Sequence, residues 1–149
     1  MEPVQMGDVD AAYLAGIIDG EGYIGLNRKS AGAYSLRIAV KSTCHALPAR
    51  IRAITGTGTI REIIDKRKLK GPGFRQIVHE WRAFDSSAGE VLAQIVRHLI
   101  VKVEQARLGI EYQSQSPADR RFTGERFHAE LMRLNGRQTR LRANNPTNE

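Results

Sequence analysis

Two acids, Asp19 and Glu21, stand one residue apart among glycines in Ile18-Asp19-Gly20-Glu21-Gly22. Glycine accepts the left-handed conformation that closes helices, so Gly20 and Gly22 predict a helix end here. A carboxylate at that end lies beside the negative pole of the helix dipole, which raises its energy unless a cation is present. The pair is placed where a divalent metal would relieve it. The alternative is that both acids are solvated residues in a helix-to-strand turn. Upstream, Leu14, Ile17 and Ile18 lie at helical spacing and form an apolar stripe. Ala12, Gly16 and Gly20 recur every four residues and leave a second face with almost no side chain. Each glycine in a helix costs roughly 1 kcal/mol relative to alanine, a loss that close packing against another helix recovers. The obvious partner is a second copy of the same helix.

The stretch Leu14-Ala15-Gly16-Ile17-Ile18-Asp19-Gly20-Glu21-Gly22 resembles the nine-residue motif of the LAGLIDADG homing endonucleases, departing from it at Ile17, Gly20 and Glu21. The resemblance covers roughly residues 8–112, although only the motif is specific. It implies an αββαββα core whose saddle-shaped sheet lies on DNA. One motif in one domain's length resembles the homodimeric subgroup, in which two motif helices pack side by side through Ala12, Gly16, Asp19 and Gly20. By the family pattern Glu21 is the metal ligand, with the carbonyl of Gly20 beside it. Glutamate in place of aspartate lengthens the arm and keeps the charge. The implied ion is Mg²⁺, with Mn²⁺ as a substitute and no organic cofactor. Two such sites cut a long pseudo-palindromic target with a stagger.

Single-motif relatives carry a basic pocket around the attacking water, including a lysine shortly before a Gln-Ala pair. In Val101-Lys102-Val103-Glu104-Gln105-Ala106 that lysine is Lys102, whose alternative reading is an ordinary surface lysine on a helix. Ser42 stands where relatives often have glutamine, and His45 or Ala46 where they have arginine. These are departures from the pattern, in which Ser42, Thr43 and His45 could position the water.

A chain of 149 residues suits one domain with a proper core. Its net charge of +7 points to a polyanion, with nucleic acid ahead of a membrane surface. The one cysteine, Cys44, excludes an internal disulfide framework and a cysteine-rich zinc site, and the four histidines show no ligand spacing. No stretch reads as a signal peptide or a membrane span, so a soluble intracellular protein is expected, in a bacterial or phage cytoplasm or an organelle.

The elements that position these residues follow from periodicity. A first helix is predicted over 8–21, then alternating strands at 23–29 and 34–41. In the second, Leu36, Ile38 and Val40 face a core while Ser35, Arg37, Ala39 and Lys41 face away. A short helix over 44–55 leads to a second hairpin, 59–66 and 75–84, joined by a basic tip holding Lys66, Lys68 and Lys70. A helix capped by Ser86 or Ser87 follows, its pattern resuming through Tyr112. A polar break at 113–118 precedes a last helix over 123–135 and a frayed basic tail, 136–149. The order predicts an α+β chain, residues 1–149 as one domain, with a four-stranded antiparallel sheet and helices on one face. The other face presents Tyr23, Asn27, Lys29, Ser35, Arg37, Lys41, Arg61, Glu80 and Arg82 to a major groove wide enough for a β-ribbon.

The favoured expectation is therefore a site-specific double-strand DNA endonuclease. The alternative is the same fold without cleavage, as an RNA-binding intron maturase or a DNA-binding regulator. A small-molecule enzyme finds no phosphate-cradling loop and no nucleophile-base pair at recognisable spacing.

Overall fold

Helix α1 (Asp8–Glu21) runs straight into strand β1 (Gly22–Arg28), which pairs with β2 (Tyr34–Ser42). Helix α2 (Ala46–Thr55) then leads to β3 (Thr59–Asp65) and β4 (Gln76–Phe84), followed by α3 (Asp85–Ile95), a 3-10 turn (Val96–His98), α4 (Val103–Ser114) and α5 (Pro117–Ala143). These elements come from a computed structural model that describes residues 4–30, 32–65 and 76–143. The four strands form one antiparallel sheet in the order β1-β2-β4-β3. The two hairpins therefore meet through β2 and β4, with Lys41 opposite Glu80 and Ala39 opposite Arg82.

Alternation decides which face is covered. Ile24, Leu26, Leu36, Ile38, Val40, Trp81 and Ala83 are buried against the helices, whose contributions include Leu14, Ile18, Ile51, Leu92 and Leu131. The outer face keeps the polar set, as expected of an antiparallel sheet with one core-packed side. Among the described residues no helix is long and apolar enough to cross a membrane.

The helix-to-strand corner differs from the expectation in its mechanism. Gly22 is extended, with φ −82° and ψ 164°, so α1 ends without a left-handed residue. Glycine is required there for space. A Cβ would stand 2.6 Å from Ile18 Cα, because the chain turns back over the last turn of the helix.

The C-terminal region also departs from the sequence reading. The last helix spans Pro117–Ala143 and so enters the stretch expected to be a frayed tail, while the polar break shrinks to Gln115 and Ser116. Pro117 is the first helical residue, where its missing N–H costs nothing, and Ser116 Oγ accepts a hydrogen bond from Asp119 N at 3.1 Å. Helix α3 starts one residue before the expected serines, at Asp85, with φ +51° and no side-chain cap.

Tyr112, buried on α4, donates its hydroxyl to the Tyr34 carbonyl at 3.1 Å and ties the helices to the start of β2. Burial is the main cause that pushes its phenol above the usual tyrosine value. Phenol ionisation then opposes folding: the stabilisation is intact below the unfolded value, about 10, and is lost as pH rises through the higher folded one. Tyr112→Phe is expected to lower stability by about 1 to 3 kcal/mol at neutral pH, since it orphans a buried carbonyl. The variant should also lose less stability than wild type between pH 8 and about pH 11, as urea unfolding at both values would report.

Candidate active site and nucleic-acid interface

The two acids of the motif have separate fates. Asp19 turns into its own chain: its carboxylate accepts hydrogen bonds from the backbone N–H groups of Ile100 at 2.9 Å and of Val101 and Lys102 at 3.0 Å. Three donors relieve the charge that a helix C-terminus disfavours, the part that the sequence reading gave to a metal. Lys102 completes the clasp, its Nζ donating to the carbonyls of Ile18 at 2.8 Å and Asp19 at 3.2 Å. The Ile18 carbonyl also accepts the Gly22 N–H, and a cation at the helix end suits both carbonyls and the dipole.

Glu21 remains exposed. It lines an open pocket of about 430 Å³ together with Tyr23, Arg37, Ala39, Lys41 and Glu80, all on the outer face of the sheet. Ser42 and His45 do not line this pocket. Ser42 Oγ accepts the Cys44 N–H at 3.0 Å and shapes the turn after β2, and His45 meets the His79 ring edge-on, with centroids 5.1 Å apart. Ser42 pairs with His79 and shares the helix side of the sheet with Trp81. The pocket's cations are instead Arg37 and Lys41, beside the carboxylates of Glu21 and Glu80.

The uncovered face of α1 is apolar and nearly flat. Val9 is 83% exposed and Tyr13 51%, and they share that face with Ala12, Gly16 and Gly20. A Cβ built at Gly16 or Gly20 meets nothing within 4 Å in the single chain. The Asp19 clasp brings Ile100 and Val101, 83% and 54% exposed, to the C-terminal end of the same helix.

Across the sheet, Glu80 is the centre of the charge arrangement. It is fully buried, accepting from Arg37 Nη2 at 2.9 Å and Arg61 Nε at 2.8 Å, with Lys41 Nζ 3.9 Å away. Both oxygens are taken, so Glu80 fixes the two guanidinium groups. Ser35 is likewise buried, donating to Asp85 Oδ1 at 2.8 Å, and Lys29 Nζ lies 3.5 Å from Asp85 Oδ2. Tyr23 lies beneath the Arg37 guanidinium and Phe84 beneath that of Arg82, which stiffens both arginines. Asn27 is half-buried on β1. Lys66, Lys68 and Lys70 lie outside the described residues.

A divalent metal is testable against this donor set. Among the described residues no group of three or more His, Cys, Asp or Glu side chains could hold an ion. One chain therefore supplies one exposed carboxylate, Glu21, with the backbone of Gly20 beside it. Hard oxygen ligands of this kind fit Mg²⁺, which keeps several waters and shares its sphere with substrate phosphates. The residues fit an ion of this kind, which takes most of its ligands from water and phosphate.

The sequence matches no protein-family model and no curated protein. Solved structures do match. I-CvuI bound to the I-CreI target superimposes with a TM-score of 0.67 at 20% identity, over 85% of this chain and 82% of that one. The archaeal intron-encoded homing endonuclease I-Vdi141I complexed with DNA gives a TM-score of 0.63 at 16% identity, over 85% and 84%. The group I intron-encoded homing endonuclease I-CeuI, also with DNA, gives 0.52 at 16% identity over 75% and 57%. The chain thus has the LAGLIDADG homing-endonuclease fold.

Proposed function

We propose that this protein is a site-specific double-strand DNA endonuclease that acts as a homodimer on a long pseudo-palindromic target and makes staggered cuts. The observation that carries the reading is Glu21, an exposed carboxylate at the rim of a pocket that also holds Arg37 and Lys41, at the end of a helix whose outer face is apolar and side-chain-poor. Pairing two such faces brings two Glu21 carboxylates together, one for each strand's scissile phosphate. Magnesium bound there, or manganese in its place, supplies a water of lowered pKa and stabilises the leaving 3′ oxygen. Arg37 and Lys41 attract the phosphate to the pocket, and Lys102 holds the helix end that aims Glu21. The Arg37 and Arg61 guanidinium groups, fixed by Glu80, are placed to meet guanine in the major groove. The lysines at 66, 68 and 70 are proposed as phosphate contacts.

The test is cleavage of a randomised duplex library by the purified protein in Mg²⁺, with the cut ends sequenced. Selective binding without cutting, together with assisted splicing of an intron RNA, would replace this reading with the maturase one. Given cutting, Arg37→Ala is expected to relax selectivity at one base pair per half-site by about 1 to 3 kcal/mol. Lys68→Ala is expected to weaken all sequences alike and to reduce the salt slope by about one for each phosphate no longer neutralised. Cleavage of single-base target variants and binding at several salt concentrations read the two effects separately. An unchanged Arg37→Ala profile would remove strand β2 from the groove.

A further inference from the structure

The outer face of the β3–β4 hairpin changes character beyond the Glu80 cluster. Ile63 lies directly opposite Val78 on that face, one outward pair past Arg61 and Glu80 and one short of Asp65 and Gln76. Both side chains are half-buried, and the helices of the described residues pack on the other side of the sheet. β-Branched residues suit a strand, but strand preference is equally met by threonine, so it does not require two aliphatic groups beside the charged cluster of Arg61 and Glu80.

We propose that Ile63 and Val78 form a methyl-reading site that takes the C5-methyl group of thymine in the major groove. This rests on the DNA-endonuclease reading above. The patch is continuous with the cationic cluster of Arg37, Lys41 and Arg61, so its occupant must be anionic overall and apolar at one point. Duplex DNA meets both conditions, because the thymine methyl is the apolar group that the major groove displays. Ile63 and Val78 carry no polar side-chain atom, so cytosine's amino group and guanine's acceptors lose their water there without a partner. A step of two residues along a strand advances about 6.6 Å, close to two base-pair rises of about 3.4 Å. The site therefore fixes a thymine about two base pairs from the position addressed by Arg61 in each half-site.

The experiment uses the full-length protein and a duplex selected by it from a randomised pool. Each thymine is replaced in turn by deoxyuridine, which removes only the methyl group. At one position, or two adjacent ones, the exchange is expected to weaken binding about four-fold per half-site, the factor that corresponds to about 0.8 kcal/mol for one buried methyl. The double variant Ile63→Thr, Val78→Thr keeps both residues β-branched and should bind the thymine and uracil duplexes equally at that position. Val78→Thr alone, almost the same shape as valine, should lose part of the discrimination and serves if the double variant does not fold. Selective binding that is indifferent to uracil at every thymine overturns the proposal alone, as does discrimination that persists undiminished in both variants. Absence of any sequence-selective binding overturns the nuclease reading and this proposal together.

Discussion

Glu21→Gln is expected to abolish cleavage in Mg²⁺ while leaving affinity for target DNA within about ten-fold, or about 1.4 kcal/mol. The substitution keeps the shape and removes only the negative charge that a hard divalent ion requires. The fold should be indifferent to it, because Glu21 is exposed and the helix end is held by Asp19 and Lys102. On the proposed reading binding rests on the sheet face, which the variant leaves intact. Cleavage and gel-shift measurements on one target duplex separate the two properties. A Glu21→Gln protein that cuts at near wild-type rate would remove this residue from the chemistry. Asp19→Asn should behave differently. Its carboxylate accepts three backbone donors, so that variant is expected to lose stability as well as any activity.

Gly16→Leu is expected to convert a dimer into a monomer without unfolding the chain. In the single chain a Cβ at this position meets nothing within 4 Å, so the monomer accommodates the side chain. Leucine also favours the helix over glycine by nearly 1 kcal/mol, so the monomer should become slightly more stable. Against a second helix the same side chain fills the space that close approach needs, and association should fail. The opposite signs distinguish an interface from a buried packing position. Sedimentation with and without DNA reads the mass, and urea unfolding of the dissociated chain reads the stability. A monomeric wild-type mass in both conditions would refute the dimer and with it the pseudo-palindromic target.

Elements with a strong local period are legible in the sequence. The alternation of Leu36, Ile38 and Val40 with Ser35, Arg37 and Lys41 fixes both the strand and its faces, since a shift by one residue would expose the aliphatic set. The motif helix and both hairpins lie within a residue or two of the bounds that their periodicity predicts, for the same reason. What escapes the sequence depends on partners distant in the chain. Asp19 and Glu21 are equivalent acids in the sequence, and only the N–H groups of residues 100–102 separate them. Glu80 reads as a surface residue, and it takes the register of β4 with β2 and β3 to put Arg37 and Arg61 on its two oxygens. Helix α5 is longer than its apolar period suggests, because Pro117 looks like an interruption; Gly124, inside the helix, has a packing reason. Proline is the first residue of that helix, and the glycine gives way to the Tyr34 ring, which would stand 2.7 Å from a Cβ there. Ser116-Pro117-Ala118-Asp119 nevertheless carries a helix-start signal, with the serine as cap and the proline just inside.

The Asp19 clasp has a bearing on how the molecule comes to exist. It joins a helix near the start of the chain to backbone groups 81 to 83 residues further on. Contacts of such long span become favourable only when the intervening chain is already ordered, since the entropy of closing the loop must first be overcome. Here the intervening chain is the whole sheet with α2, α3 and the 3-10 turn. A nascent chain that ends before residue 100 lacks the three amides and the ammonium that lock the end of α1. The orientation of residue 21 is thus a property of the finished molecule and not of the helix that bears the acid.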